Sequence, residues 1–219
     1  MQLVIGNKNY SSWSMRPWVL LRHFELSFEE IRVPLFVEGF EQELARYSPT
    51  LRVPVLIDGD TTVWDSLAIM EYVSEKFLAG RGLPEDIQQR ALCRSYCSEM
   101  HSGFAAIRSQ LPMNCRASRR LELTPEVSSE CQRIDRLWSE ARDRHHAAGD
   151  YLFGEFSLAD CMYAPIAMRF QTYGVKLSAV SQAYLELLLE NSAVAQWRAE
   201  AEQEEEVVSM HEVGEELTP

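Results

Sequence analysis

Three clusters in the first 80 residues bring together side chains able to do chemistry. The first is Tyr10-Ser11-Ser12-Trp13-Ser14-Met15-Arg16-Pro17-Trp18, a hydroxyl-rich stretch leading into an apolar run at helical spacing. A helix start exposes unpaired N–H groups and a partial positive charge, which favours a thiolate or other anion beside Ser11 or Ser12. Capping explains the serines equally well. Ser14 is the best-placed cap, because Pro17 three residues later suits a first turn and not a helix interior. The second cluster is Val53-Pro54, ahead of the apolar run Val55-Leu56-Ile57. Proline cannot donate to a sheet ladder, so either the bond is cis at a turn or the residue lies on an edge. A cis bond exposes the N–H and C=O of Val53 to an extended peptide that adds as a strand. The third is Asp65-Ser66, ending a strand and opening an apolar helix. Ser66 either caps that helix or uses its N–H and hydroxyl to cradle a carboxylate, while Asp65 is suited to an ammonium. Together the two make a seat for an α-amino acid head.

These clusters need elements to hold them. Gln2 to Ile5 reads as a short strand, Ser14 to Glu25 as a helix and Phe28 to Phe36 as a strand with one extra residue at Glu30. A short helix over Phe40 to Tyr47 follows, then a hairpin turning at Asp58-Gly59-Asp60 and a helix over Leu67 to Phe77, giving the order β-α-β-α-β-β-α. Gly80-Arg81-Gly82-Leu83-Pro84 punctuates the chain and divides an α/β unit, residues 1–80, from an all-helical unit, residues 81–219. In the second unit one long helix is expected from Asp86 to Gln110. Another over Pro125 to Ala148 has Thr124 as its cap, and further helices fall at Ser157 to Tyr173, Ser181 to Glu190 and Val194 to Gln203.

Composition excludes several classes. The net charge of −12 opposes nucleic acid binding, which needs clustered Lys and Arg. No apolar run reaches the ~18 residues of a spanning helix, and the first residues lack a secretory pattern, so no membrane partner and a cytoplasmic location are expected. Five cysteines without a Cys-x-x-Cys pair form neither a disulfide framework nor a metal site; they read as small buried hydrophobes. His145 and His146 near a helix end read as caps for carbonyls. Residues 200–219 carry eight acids and no base, and are expected to be a solvated, fraying end.

Taken jointly, the element order, the serine loop, Val53-Pro54 and Asp65-Ser66 resemble the thioredoxin-like domain of the glutathione transferase superfamily, followed by its all-α domain. The resemblance covers nearly the whole chain. Ser11 to Arg16 is similar to the serine loop of the Zeta and Tau types, and Ser66-Leu67-Ala68-Ile69 to the Zeta stretch after the γ-glutamyl site. The resemblance implies a glutathione S-transferase in which Ser11 hydrogen-bonds the glutathione sulfur, with Ser12 beside it. It further implies that Val53, before a cis Pro54, pairs with the cysteinyl backbone and that Asp65 and Ser66 hold the γ-glutamyl head. Asp65 is one methylene shorter than the usual Glu or Gln, and Trp13 stands where isomerising Zeta enzymes carry Cys. In such a protein the stripe Arg94, Cys97, His101, Phe104, Arg108 passes the mouth of the site. His101 and Arg108 then meet the glycyl carboxylate or an acidic co-substrate, or else face a subunit seam or solvent. Phe156-Ser157-Leu158-Ala159-Asp160 resembles the family's capping box, a structural pair of Ser157 and Asp160. Implied besides are a homodimer, detoxification of a small electrophile, and no metal. The alternatives are a maleylacetoacetate isomerase-like enzyme and a noncatalytic binding module.

Overall fold

The computed structural model describes residues 1–217. Its first elements are β1 (Gln2–Ile5), α1 (Ser12–His23), β2 (Glu29–Arg32), α2 (Phe40–Leu44), β3 (Val55–Asp58), β4 (Thr61–Trp64) and α3 (Ser66–Phe77). The four strands form one sheet in the order β2-β1-β3-β4, with β1 parallel to β2 and antiparallel to β3, and β3 antiparallel to β4. Leu3, Val4, Ile5, Val55 and Leu56 are fully buried, as expected of central strands covered on both faces. This is the thioredoxin-like arrangement that the resemblance implied.

Two elements of this half differ from expectation. β2 is four residues long and pairs with β1 without a bulge; beyond Val33, whose N–H still reaches the Ile5 carbonyl at 2.9 Å, the chain turns away. The Leu35 N–H is taken by the Asn7 side chain at 2.8 Å, tying this departing strand to the serine loop. Helix α1 starts two residues earlier than expected, with Ser11 at the cap position and Ser14 inside the first turn. The turn is set from outside the helix: the N–H groups of Tyr10 and Ser11 bond the Asn7 carbonyl, and the Ser14 hydroxyl accepts from the Gly6 N–H at 3.2 Å. Pro17 therefore lies inside the helix and is tolerated there.

The helical part comprises α4 (Ile87–Ser102), α5 (Ala105–Gln110), α6 (Pro125–His145), α7 (Leu158–Tyr173), α8 (Ala179–Glu190) and α9 (Ser192–Ala201), with a two-stranded ribbon of β5 (Arg119–Arg120) and β6 (Glu215–Glu216). α7 is the axis: every residue except Gln171 is buried, and it packs against α1 and α4. Asp160 accepts from the Ser157 N–H and hydroxyl at 2.8 Å, the Leu152 N–H at 3.1 Å and the Tyr184 hydroxyl at 2.8 Å. It thus anchors both the start of α7 and α8. α6 has Thr124 as its cap and Pro125 in the first turn. Gly82, at φ +91°, accepts at its carbonyl from the Leu158 N–H at 2.7 Å, and a Cβ there would lie 2.8 Å from a Leu158 methyl. Only glycine lets the segment after α3 pass this close.

The single helix expected over 86–110 is two. Gly103 is extended and Phe104 left-handed at φ +59°. A new helix starts because the Glu130 carboxylate on α6 accepts from the N–H groups of Ala106 and Ile107 at 3.2 and 2.8 Å. The acidic tail is not frayed either. Glu204 accepts from the N–H groups of Lys8 and Asn9 at 2.7 and 2.9 Å, Glu206 pairs with Arg32 at 2.8 Å, and Glu212 meets Arg119 and the Tyr10 hydroxyl. Four of the tail's eight acids, Glu200, Glu204, Glu206 and Glu212, pair with bases of the main body, while Glu202, Glu205, Glu215 and Glu216 face water. Of the two histidines after α6, His146 bonds the Asp143 carbonyl at 2.9 Å, but His145 packs on Phe153 with its Nε2 unpartnered.

Candidate active site

Ser11 and Ser12 stand at the N-terminus of α1, both nearly buried. No side chain caps this end, so the first-turn N–H groups of Trp13 and Ser14 have no intrahelical partner and face whatever binds there. The Ser11 hydroxyl donates to the Ser14 oxygen at 2.7 Å. The Ser12 oxygen accepts from Arg169 Nη2 at 3.2 Å, and its own proton has no acceptor among the described residues.

Arginines crowd this turn. Arg16, 1% exposed, lies 4.2 Å over the Trp13 ring and donates to the Ser66 hydroxyl at 3.2 Å. Arg108 lies 4.7 Å over the same ring. Arg169 is buried on α7 and also bonds the Leu111 carbonyl at 2.8 Å. Burial, and then the other two cations, hold the Arg16 pKa well below its usual value, while burial and Arg108 bring Arg169 down to about 10. All three remain cations near neutrality, and their field favours a negative charge at the serines.

Two adjoining cavities meet at this turn. One, of about 660 Å³, is walled by Trp13, Thr50, Arg52, Val53, Pro54, Trp64, Asp65, Ser66 and His101. The other, of about 460 Å³, has Ser11, Ser12, Trp13, Val53, Arg108, Arg169 and His211 around it, with Leu35, Phe36, Phe40, Leu44, Pro112 and Met113 as apolar wall. Both volumes suit small-molecule sites. The Val53-Pro54 bond is cis. Asp65, at φ +76°, caps α3 through Oδ1, which accepts from the N–H groups of Leu67 and Ala68 at 2.9 and 3.3 Å. Its Oδ2 lies 3.2 Å from His101 Nε2. Ser66 is therefore the first helical residue rather than the cap, and its free N–H points out of the helix start.

His101 reaches the site: its ring meets Trp13 edge-on at 5.2 Å, and its pKa is lowered by burial and by Arg16 and Arg108, against a raising effect from Asp65. Arg108 lies beyond the break at Gly103, yet packs on Trp13 while donating to the main-chain carbonyls of Met100, His101 and Gly103. Much of its hydrogen-bonding capacity goes to capping α4. Sequence reasoning assigned no role to Arg16, Arg169 or His211. Arg169 had a signal, as the lone charge in the run Cys161-Met-Tyr-Ala-Pro-Ile-Ala-Met-Arg-Phe170. His211 had none, since its place depends on the folded tail. The five cysteines are free and buried. No group of three or more metal-ligating side chains occurs among the described residues.

Residues 10–76 match the glutathione S-transferase N-terminal domain family, and residues 95–200 the C-terminal domain family. Glutathione S-transferase 1 of Dianthus caryophyllus is 32% identical over 169 residues, spanning 75% of each chain. The chain belongs to the glutathione S-transferase family. The maleylacetoacetate isomerase of Mus musculus is 30% identical over 180 residues, 77% of this chain and 78% of that one. Among solved structures, a glutathione transferase homologue from Burkholderia with bound glutathione superposes with a TM-score of 0.69 at 26% identity. That match covers 91% of this chain and 97% of the other. As a glutathione S-transferase by family, the chain has the serine turn at the place where its two cavities join.

Proposed function

We propose that the protein ionises the thiol of glutathione at the α1 N-terminus and adds the sulfur to a small electrophile held in the 460 Å³ cavity. The observation that carries this is the uncapped helix start, bearing Ser11 and Ser12, at the junction of the two cavities, one reaching Val53, Asp65 and Ser66 and the other Arg108 and Arg169. A free thiol near pKa ~8.5 needs about 2.7 kcal/mol of preferential thiolate stabilisation to ionise two units lower. Net of the neutral bond to Ser14 that it gives up, the Ser11 hydroxyl supplies about 1–1.5 kcal/mol and the helix terminus about 0.3–1 more, the field of Arg16, Arg108 and Arg169 supplying the rest. Ser11 is the assigned donor. In the 660 Å³ cavity Val53 pairs with the cysteinyl backbone, Ser66 binds the γ-glutamyl carboxylate and Asp65 Oδ2 takes its ammonium.

In this reading residues 1–80 form the peptide-binding unit, and the electrophile cavity draws on residues 81–219. The five unpaired cysteines support a reducing, cytoplasmic location. A homodimer is proposed on the ground that closed twofold pairing is the commonest assembly; a mass near 25 kDa by light scattering would rule it out. A second reading, glutathione-dependent cis–trans isomerisation of an acidic substrate, is favoured by the guanidinium groups of Arg108 and Arg169 on the electrophile cavity. Turnover of a panel of electrophiles and of a cis-enone dicarboxylate, with and without glutathione, separates the two. Absence of turnover throughout, with glutathione still binding, would leave a binding module instead.

A further inference from the structure

The tail does more than neutralise surface charge. After α9 it crosses the serine loop and turns once at Ser209–His211, placing the His211 ring 5.4 Å from Tyr10 and 6.0 Å from Phe36, on the wall of the electrophile cavity. The turn is held on both sides: Arg116 donates to the carbonyls of Glu204 and Glu206, the Val208 N–H reaches the Tyr10 hydroxyl at 3.3 Å, and Asn114 donates to Glu212 at 3.0 Å. β6 on β5 closes the far end. A side chain fixed in this way over a cavity is pre-organised for an occupant.

The two ring nitrogens differ. Nδ1 is sealed from water and has no partner among the described residues. A buried orphan N–H is rarer than an under-used acceptor, so Nδ1 carries the lone pair and Nε2 the proton. Burial and Arg169 lower the His211 pKa against Glu212, which keeps the ring neutral near pH 7. Nε2–H is then the nitrogen able to meet a cavity occupant, in a wall where Leu35, Phe36, Phe40, Pro112 and Met113 supply the apolar part.

We propose that His211 is a specificity-determining residue, donating a hydrogen bond from Nε2 to an acceptor on the electrophile and so selecting electrophiles with an oxygen beside the reacting carbon. This rests on the transferase reading above. His211→Phe keeps the ring against Tyr10 and Phe36 and removes the donor; His211→Gln returns a donor near the Nε2 position.

The test compares 1-chloro-2,4-dinitrobenzene, which has acceptor oxygens, with 1-bromohexane, which has none. Loss of one neutral hydrogen bond lowers kcat/KM for the nitroarene by about 2- to 12-fold in His211→Phe. Turnover of the bromoalkane and the KM for glutathione stay unchanged, and His211→Gln recovers the nitroarene rate. An equal fall with both electrophiles, or none with either, overturns the assignment. Should the wild type turn over neither, the transferase reading fails on its own. Binding of S-(2,4-dinitrophenyl)glutathione and S-hexylglutathione then decides His211: selective weakening of the first in His211→Phe upholds it, and equal constants overturn it.

Discussion

Replacing Ser11 or Ser12 by Ala and titrating the thiol of bound glutathione tests the proposed chemistry at its source. The structure makes the two substitutions unequal. The Ser11 hydroxyl already donates to Ser14 at 2.7 Å, so turning it toward a thiolate exchanges a neutral hydrogen bond for a charged one. The gain is the difference between about 1.5–3 and about 0.5–1.5 kcal/mol, or about 1–1.5 kcal/mol. At 1.36 kcal/mol per unit, Ser11→Ala raises the bound thiol's pKa by about one unit. Ser12 gives up nothing comparable, because its oxygen accepts from Arg169 and its proton has no acceptor among the described residues. If Ser12 were the donor, Ser12→Ala would raise the pKa by about one to two units. Thiolate ultraviolet absorbance followed against pH in the wild type and both variants reads the shift directly. A shift in Ser11→Ala alone is expected. A shift only in Ser12→Ala would move the role to the neighbouring hydroxyl, and no shift in either would refute thiolate stabilisation by serine.

Further outcomes follow from other contacts. Ser66→Ala should raise the KM for glutathione several-fold with kcat little changed, since a remote head group is bound alike in ground and transition states; a fall in kcat at constant KM would contradict this. Glu204→Ala strands the N–H groups of Lys8 and Asn9, at about 1–3 kcal/mol each, and should lower the urea midpoint. Asp160→Ala orphans the Ser157, Leu152 and Tyr184 donors and should cost more than about 3 kcal/mol, read by the same denaturation. Burial lowers the pKa values of His23, His101, His145 and His211. Just below pH ~6.5 the unfolded chain therefore binds more protons than the folded one, and stability rises with pH. Tm should fall as pH drops from 7.5 to 5.5, and a flat profile would contradict these burials.

The parts of the fold that could be read from the sequence are those set by near neighbours. The hairpin at Gly59-Asp60, the cap at Thr124 and the opening of α7 at Ser157 each depend on residues within about four positions. The pattern there matches the structure. α1 was misplaced by two residues because its start is fixed from Gly6 and Asn7, outside the helix, and local rules favour Ser14 as the cap over an interior Pro17. The α4–α5 break had a local sign in Gly103. The carboxylate that restarts the helix, Glu130, lies more than twenty residues away on α6 and left no trace in the periodicity.

The site divides along the same line. Ser11, Ser12, Val53, Asp65 and Ser66 lie at element ends, where backbone groups are left free, and such ends can be found from capping residues and prolines. The arginines and the tail obey a different constraint. Arg16 and Arg169 are buried cations whose cost falls only when each finds oxygen partners in the folded chain: Ser66 for one, and Leu111 and Ser12 for the other. A run of eight acids looks like a solvated end because opposite charges are absent nearby in sequence. The bases that pair with its carboxylates, Lys8, Arg32, Arg116 and Arg119, come from the segment before the serine loop, β2, the α5–β5 connection and β5, and only the packed fold brings them to one edge. That edge borders the cavity beside Ser11 and Ser12. The docked tail therefore both pairs with these bases and walls that cavity through His211, and if the cavity holds the electrophile as proposed, loosening Glu204 or Glu212 should change the ratio of kcat/KM between two electrophiles before it changes the KM for glutathione.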